Sequence, residues 1–178
     1  MDLVIFTLFN FIIYSFIGWI VENIYSVATK GEFQKDGFLF GPFKPMYGIA
    51  GAIIILLNTA FNLNLIEKII IGFIIPTITE YCTGYILKAV FSKSYWDYSN
   101  LKYQINGLIS LQFSFYWILL TFVAIYIVQP VINIIYQIEP ALWSILTPFF
   151  IGIMTLDMIY TIITMNKKSS LLKNANQD

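Results

Sequence analysis

The chain contains no arginine and no histidine, and it has a single cysteine; all ten of its basic residues are lysines. Without histidine there is no imidazole acid–base catalyst and no imidazole-ligated metal or haem. Without arginine there is no bidentate guanidinium clamp for carboxylate or phosphate. A genome biased toward Lys, Ile and Asn codons accounts for both absences, and the chemical exclusions hold either way. Cys82 cannot form an intramolecular disulfide, and inside an apolar run it reads as an inert packed thiol. No metal site and no cofactor are expected. Charge is scarce as well. Charged residues make up 11% of the 178 positions, against about a quarter in a soluble domain. Ten acidic residues balance the ten lysines, so the chain shows no electrostatic preference for nucleic acid. No basic stretch precedes the first apolar run, so the start is not read as a cleaved secretory signal. A Gly-x-x-x-x-Gly-Lys-[Ser/Thr] phosphate loop is also missing, so any ATP-driven mechanism needs a separate ATPase subunit.

What the chain does have is hydrophobic length. Apolar residues make up 58% of it. They fall in runs of about 20, each able to cross a bilayer core of about 30 Å. The expected fold is all-α: one polytopic transmembrane bundle over residues 1–178 with about five spans, its surroundings the lipid bilayer. The spans are read as Leu3–Val27, a short Met46–Phe61, Leu65–Phe91, Gln104–Val128 and Pro140–Met165. Pro130 interrupts the stretch Ile127–Ile138, which either continues the fourth helix or lies along the surface. Lysines cluster on alternate connections: Lys30, Lys35 and Lys44; Lys88, Lys93 and Lys102; Lys167, Lys168 and Lys173. The other side holds only Lys68. By the positive-inside rule the lysine-rich connections are cytoplasmic. The N-terminus is then outside and the C-terminus inside a cell membrane, which requires an odd number of spans.

Ionisable residues within spans are costly and usually face the bundle interior, where they mark a site. Three stand out. Glu22 lies roughly 8 Å from the cytoplasmic end of the first helix at about 1.5 Å per residue. It continues a face of Asn10, Tyr14 and Gly18, spaced every four residues. Glu80 lies near the middle of the third helix, after Pro76, on a stripe with Thr77, Gly84 and Lys88. Asp157 lies in the fifth helix near Thr155, Thr161 and Thr164. Each of the three also fits a plain helix-tying or interfacial role. Helix 4 has a milder stripe of Asn106, Ser110, Ser114, Trp117 and Thr121, which is more often packing than site.

Two connections are unusual. The segment Asp36–Gly48 is too apolar for water, and its glycines and prolines forbid a regular helix. It reads as a re-entrant or interfacial turn leading into the second helix. Ser94–Ser99 places Trp96 and Tyr98 in an interfacial belt, with Asp97 able to cap a short helix or pair with a lysine. Glu22, the first turn and Gly48 are echoed by Glu80, the aromatic turn and Asn106-Gly107. The echo suggests parallel repeats over 3–61 and 65–128, followed by a fifth helix at 140–165.

These residues carry a resemblance. Gly18-Trp19 with Glu22, Gly37-Phe38-Leu39 with Gly41-Pro42, Pro45-Met46-Tyr47-Gly48, Glu80, Trp96-Asp97-Tyr98-Ser99 and Asn106-Gly107 resemble the ABC-transporter type IV, or CmpB-like, family of small bacterial membrane proteins. The match covers about residues 8–120. The family pattern favours a basic residue where Asp36 stands and a cysteine where Lys44 stands, so roles tied to those two side chains do not carry over. The resemblance implies a transport-associated membrane protein. The candidate ion- or substrate-binding set is Glu22, Glu80, Asp157, Asp97, Asn106 and Tyr47. Three functions stay open. One is a transporter or permease subunit, alone, as a homo-oligomer or with a separate ATPase. The second is a non-catalytic assembly or regulatory subunit. The third is a membrane enzyme using carboxylates or Mg²⁺ on a lipid, which the missing histidine and arginine disfavour.

Overall fold

The computed structural model describes residues 2–33 and 37–175, with side chains to Met165. Lys35 and Asp36 lie outside the described residues, as do the side chains of Lys167, Lys168 and Lys173. Helix α1 spans Leu3–Lys30, capped by the Asp2 carboxylate on the Val4 and Ile5 N–H groups. Helix α2 spans Pro45–Phe61, with proline at its first position, where no N–H is needed. Helix α3 spans Leu65–Phe91 and opens on a capping box, Asn64 with Glu67. Strands β1 (Gln104–Ile105) and β2 (Ile109–Ser110) form a small antiparallel hairpin. Helix α4 spans Leu111–Val123; a π-turn, Ala124–Val128, joins it to α5, Gln129–Ile138. Helix α6 spans Pro140–Ala175.

The all-α expectation holds. Among the described residues four apolar rods have the length to cross a membrane: α1, α3, the continuous Leu111–Ile138 and Pro140–Met165 of α6; α2 is the shorter fifth. The stretch after Val128 continues the fourth rod instead of lying on the surface. Two expectations are corrected. Helix 4 does not begin at Gln104, because Asn106 and Gly107 both adopt positive φ, at 55° and 71°. That is the I′-type turn an Asn-Gly pair favours, and it folds residues 104–110 into the hairpin. Cys82 is exposed, not packed. The buried stripe of α3 runs through Gly72, Pro76, Glu80 and Gly84, and Cys82 stands about 200° around the helix from Glu80 at about 3.6 residues per turn.

Close approach between α1 and α2 sets the centre of the bundle. A Cβ on Gly48 would strike Ser15 Oγ and the Phe11 carbonyl, and one on Gly18 would strike the Tyr47 ring. The two helices therefore cross nearly in backbone contact and run antiparallel. Thr77 Oγ1 donates to Ser114 Oγ at 2.9 Å, tying α3 to α4. Helix α6 runs beside α1 in the same direction: Phe9 meets Trp143 with ring centroids 4.7 Å apart, and Ile12 clusters further along with Phe150 and Met154. The start of α1 and the end of α6 thus lie at opposite ends of the bundle. Outward faces carry Ile74, Ile78, Leu156 and Ile163, all exposed, a surface suited to hydrocarbon.

The turn before α2 folds back along α1. The Lys44 N–H donates to the Ser15 carbonyl at 2.9 Å. Ser15 lies fifteen residues before the end of α1 at Lys30, about 22 Å at 1.5 Å per residue. Helix α2 therefore starts well inside the bundle, as a re-entrant turn requires.

Candidate functional site

Glu80 is the hub. It sits on the buried stripe of α3 and is 2% exposed. Its Oε2 accepts from the Trp117 indole N–H of α4 at 2.9 Å, and its Oε1 accepts from the Tyr98 hydroxyl at 2.8 Å. Both donors are neutral, and among the described residues no lysine pairs with this carboxylate. Burial, and then Glu80 itself, push the Tyr98 hydroxyl far above its ordinary range, so it remains a donor at any accessible pH. The Tyr98 ring stacks on Phe113 at 4.5 Å, and the Trp117 ring meets Tyr47 edge-on at 5.1 Å.

Glu22 forms the other half of the centre. Its carboxylate pairs with Lys44 Nζ at 2.5 Å, each side chain only partly exposed. Tyr47, near the start of α2, packs over Gly18 on the Glu22 helix and against Trp117, the donor to Glu80. Residues of α1, α2, α3, α4 and both unusual connections thus converge in one place.

The other candidates hold this centre from outside it. Asp157 on α6 accepts the Phe40 N–H at 3.1 Å and the Gly41 N–H at 2.8 Å. It clamps the re-entrant turn and does not meet Glu80. Asp97 Oδ1 accepts the Ser99 N–H at 2.9 Å, and that bond keeps its carboxyl below the ordinary aspartate range. A Cβ on Gly107 would run into the same oxygen. The Tyr98 N–H donates to the Gly107 carbonyl at 2.9 Å, and the Trp96 indole to the Leu108 carbonyl at 2.8 Å. Asn106 Nδ2 reaches the Tyr81 hydroxyl at 3.2 Å. Asp97 and Asn106 therefore shape the wedge that delivers Tyr98 to Glu80; neither faces the carboxylate.

Of the six candidates expected from the sequence, Glu22, Glu80 and Tyr47 lie at this centre, Asp157, Asp97 and Asn106 lie outside it, and three partners are absent from the set. From the sequence alone Lys44 is a departure from the family pattern, Tyr98 belongs to an interfacial belt and Trp117 to a packing stripe. The available signal was the Asn-Gly pair, which marks a hairpin that turns Tyr98 inward.

Four long apolar rods and a shorter one among the described residues, with a hydrogen-bonded carboxylate buried between α3 and α4, define a polytopic helical membrane protein. The chain belongs to the family described as Putative ABC-transporter type IV, whose pattern matches residues 9–162. The match runs from α1 to nearly the end of the apolar part of α6, further than the motifs alone reach. No curated protein and no solved structure matches the chain.

Proposed function

We propose that this protein is a transporter or permease subunit whose ion- or solute-binding centre is Glu80 with Tyr98, Trp117, Tyr47 and the Glu22–Lys44 pair. The observation that carries the reading is a carboxylate 2% exposed, held by donors from two other segments and without a cation of its own among the described residues. Glu22 and Lys44 cancel, so the centre carries one negative charge in excess whenever Glu80 is ionised. It therefore favours a proton, a metal cation or a cationic group over an anion. In this conformation the aromatic donors seal Glu80, and passage requires them to move. Tyr98 stands on the 92–110 wedge and Trp117 on α4, so these two elements are the ones that would have to shift. The placement of Glu22 before one connection and Glu80 before the other supports the repeat reading over 3–61 and 65–128. The lysine pattern supports a cytoplasmic position for both connections in a cell membrane, where a separate ATPase subunit and a second copy of the chain are compatible partners.

The test is uptake of labelled monovalent and divalent cations and protonated amines into sealed vesicles carrying the wild-type chain or Glu80→Gln. The variant keeps the shape and removes the charge, so uptake of the transported cation is expected to fall about tenfold or more. Unchanged uptake would defeat the reading. One observation favours a second reading, an assembly subunit: both oxygens of Glu80 are already satisfied by protein. In that case Glu80→Gln alters partner capture and leaves cation uptake untouched.

A further inference from the structure

A second polar group lies on α1 away from Glu80. The Tyr14 hydroxyl donates to Gln129 Oε1 at 2.8 Å and lies 3.4 Å from the Ala124 carbonyl. Gln129 Nε2 donates in turn to Asn133 Oδ1 at 2.9 Å. These groups meet at the π-turn Ala124–Val128, and Pro130 explains why that turn exists. A proline ring inside an α-helix collides with the carbonyl four residues earlier and offers no N–H. Widening the helix just before it relieves the collision, and a π-turn inside a helix often marks a functional place. The Gln129 N–H accordingly reaches back to the Ala124 carbonyl.

This register leaves the Ile125 carbonyl short. Its α-register donor, the Gln129 N–H, is used by Ala124, and its π-register donor belongs to Pro130, which has none. Ile125 is 8% exposed, so bulk water offers little help. One turn before Tyr14, on the same face of α1, stands Asn10 at 1% exposure. Its Nδ2 donates to the Phe6 carbonyl at 2.8 Å, which settles the amide orientation, and its Oδ1 has no hydrogen-bond partner. Phe6, Phe9, Ile54, Ile55, Ile132 and Tyr136 pack around this region.

The region therefore has more oxygen acceptors than donors. The single Tyr14 proton is committed to Gln129, Asn10 Oδ1 has no partner, and neither the Gln129 N–H nor Pro130 supplies a donor to the Ile125 carbonyl. Buried acceptors left unpaired are costly. A cation resolves the surplus, and the donor set restricts which one. All the oxygens are neutral, of amide, hydroxyl and main-chain type, the kind that replaces the hydration shell of a monovalent ion. Calcium and magnesium recruit carboxylates, and none belongs to this group. We propose that Asn10 Oδ1, Tyr14 Oη, Gln129 Oε1 and the Ala124 and Ile125 carbonyls form a binding site for an alkali-metal cation. The site does not involve Glu80 and stands independently of the transport reading.

The test uses the purified full chain in detergent, melted at fixed ionic strength in sodium, potassium or N-methyl-D-glucamine chloride. A saturable rise in melting temperature with sodium or potassium, absent with N-methyl-D-glucamine, is expected. In Asn10→Ala and Gln129→Met the apparent affinity should weaken about tenfold or more. Identical melting in all three salts, or the same cation response in both variants, would overturn the proposal. If the variants do not fold, ²³Na line broadening by the wild-type chain, reversed by added potassium, reads the same site. Absence of broadening from sodium together with salt-independent melting overturns it as well.

Discussion

At the scale of single residues, the centre depends on side chains whose meaning comes from their partners. Trp117 and Tyr98 are ordinary membrane-protein aromatics until their N–H and O–H groups meet Glu80. Asp97 is the supporting residue that pH can address. Its exposed carboxyl is held below the ordinary value, about 3.9 for aspartate, first by the Ser99 main-chain N–H. A depressed folded pKa stabilises the wedge fully above the ordinary value. That contribution is lost as pH falls through the folded pKa. Between pH 5 and pH 8 no change is expected from this group. Below about pH 3.9 the Ser99 amide should lose hydrogen-exchange protection relative to its neighbours. Asp97→Asn keeps an acceptor oxygen and should abolish that acid dependence; an unchanged acid response in the variant would assign it to another group. Legibility at this scale was uneven for a physical reason. The costs of burying Glu22 and Glu80 are visible from hydropathy alone. The Lys44–Glu22 pair joins residues 22 apart through a turn that folds back, and no periodicity encodes that return.

At the scale of elements, small residues decide how deeply a helix can sit. Gly48 lets α2 start beside Ser15, and its missing Cβ is matched to a main-chain carbonyl, that of Phe11. A carbonyl in a helix cannot swing aside as a flexible side chain can. Gly48→Ala is therefore expected to destabilise the fold by about 1–3 kcal/mol, read as an earlier thermal transition in detergent. Gly152 is the control, because nothing lies within 4 Å of the Cβ it would gain. Gly152→Ala should hold or slightly raise the transition through helix propensity, by at most about 1 kcal/mol. Equal effects of the two would mean that the α1–α2 seam does not govern stability. The long elements were legible because about 20 apolar residues have few alternatives in a bilayer. The hairpin at 104–110 was not, since seven residues beside a long apolar run add little to its pattern. Its Asn-Gly turn was nevertheless in plain view. The π-turn follows from Pro130, but only once the rod is known to continue through it.

At the scale of the whole molecule, the parallel course of α1 and α6 and the segregation of lysines lead to one arrangement in a membrane. The alternating course of the five rods places the end of α3 and the 92–110 wedge at the end of the bundle opposite the α5–α6 link at Glu139. Lysine counting predicts that the wedge side, with Lys88, Lys93 and Lys102, is the cytoplasmic one. The single native cysteine makes the arrangement simple to check. In a Cys82→Ala background, Glu139→Cys and Ser94→Cys introduce thiols at exposed positions on the two ends of the bundle. A membrane-impermeant maleimide added to intact cells should label the Glu139→Cys chain at once. It should label the Ser94→Cys chain only after permeabilisation. The reversed pattern would put the wedge and the re-entrant turn outside the cell. Glu80 would then lie nearer the external surface. Labelling of both positions in intact cells would break the odd-span arrangement itself.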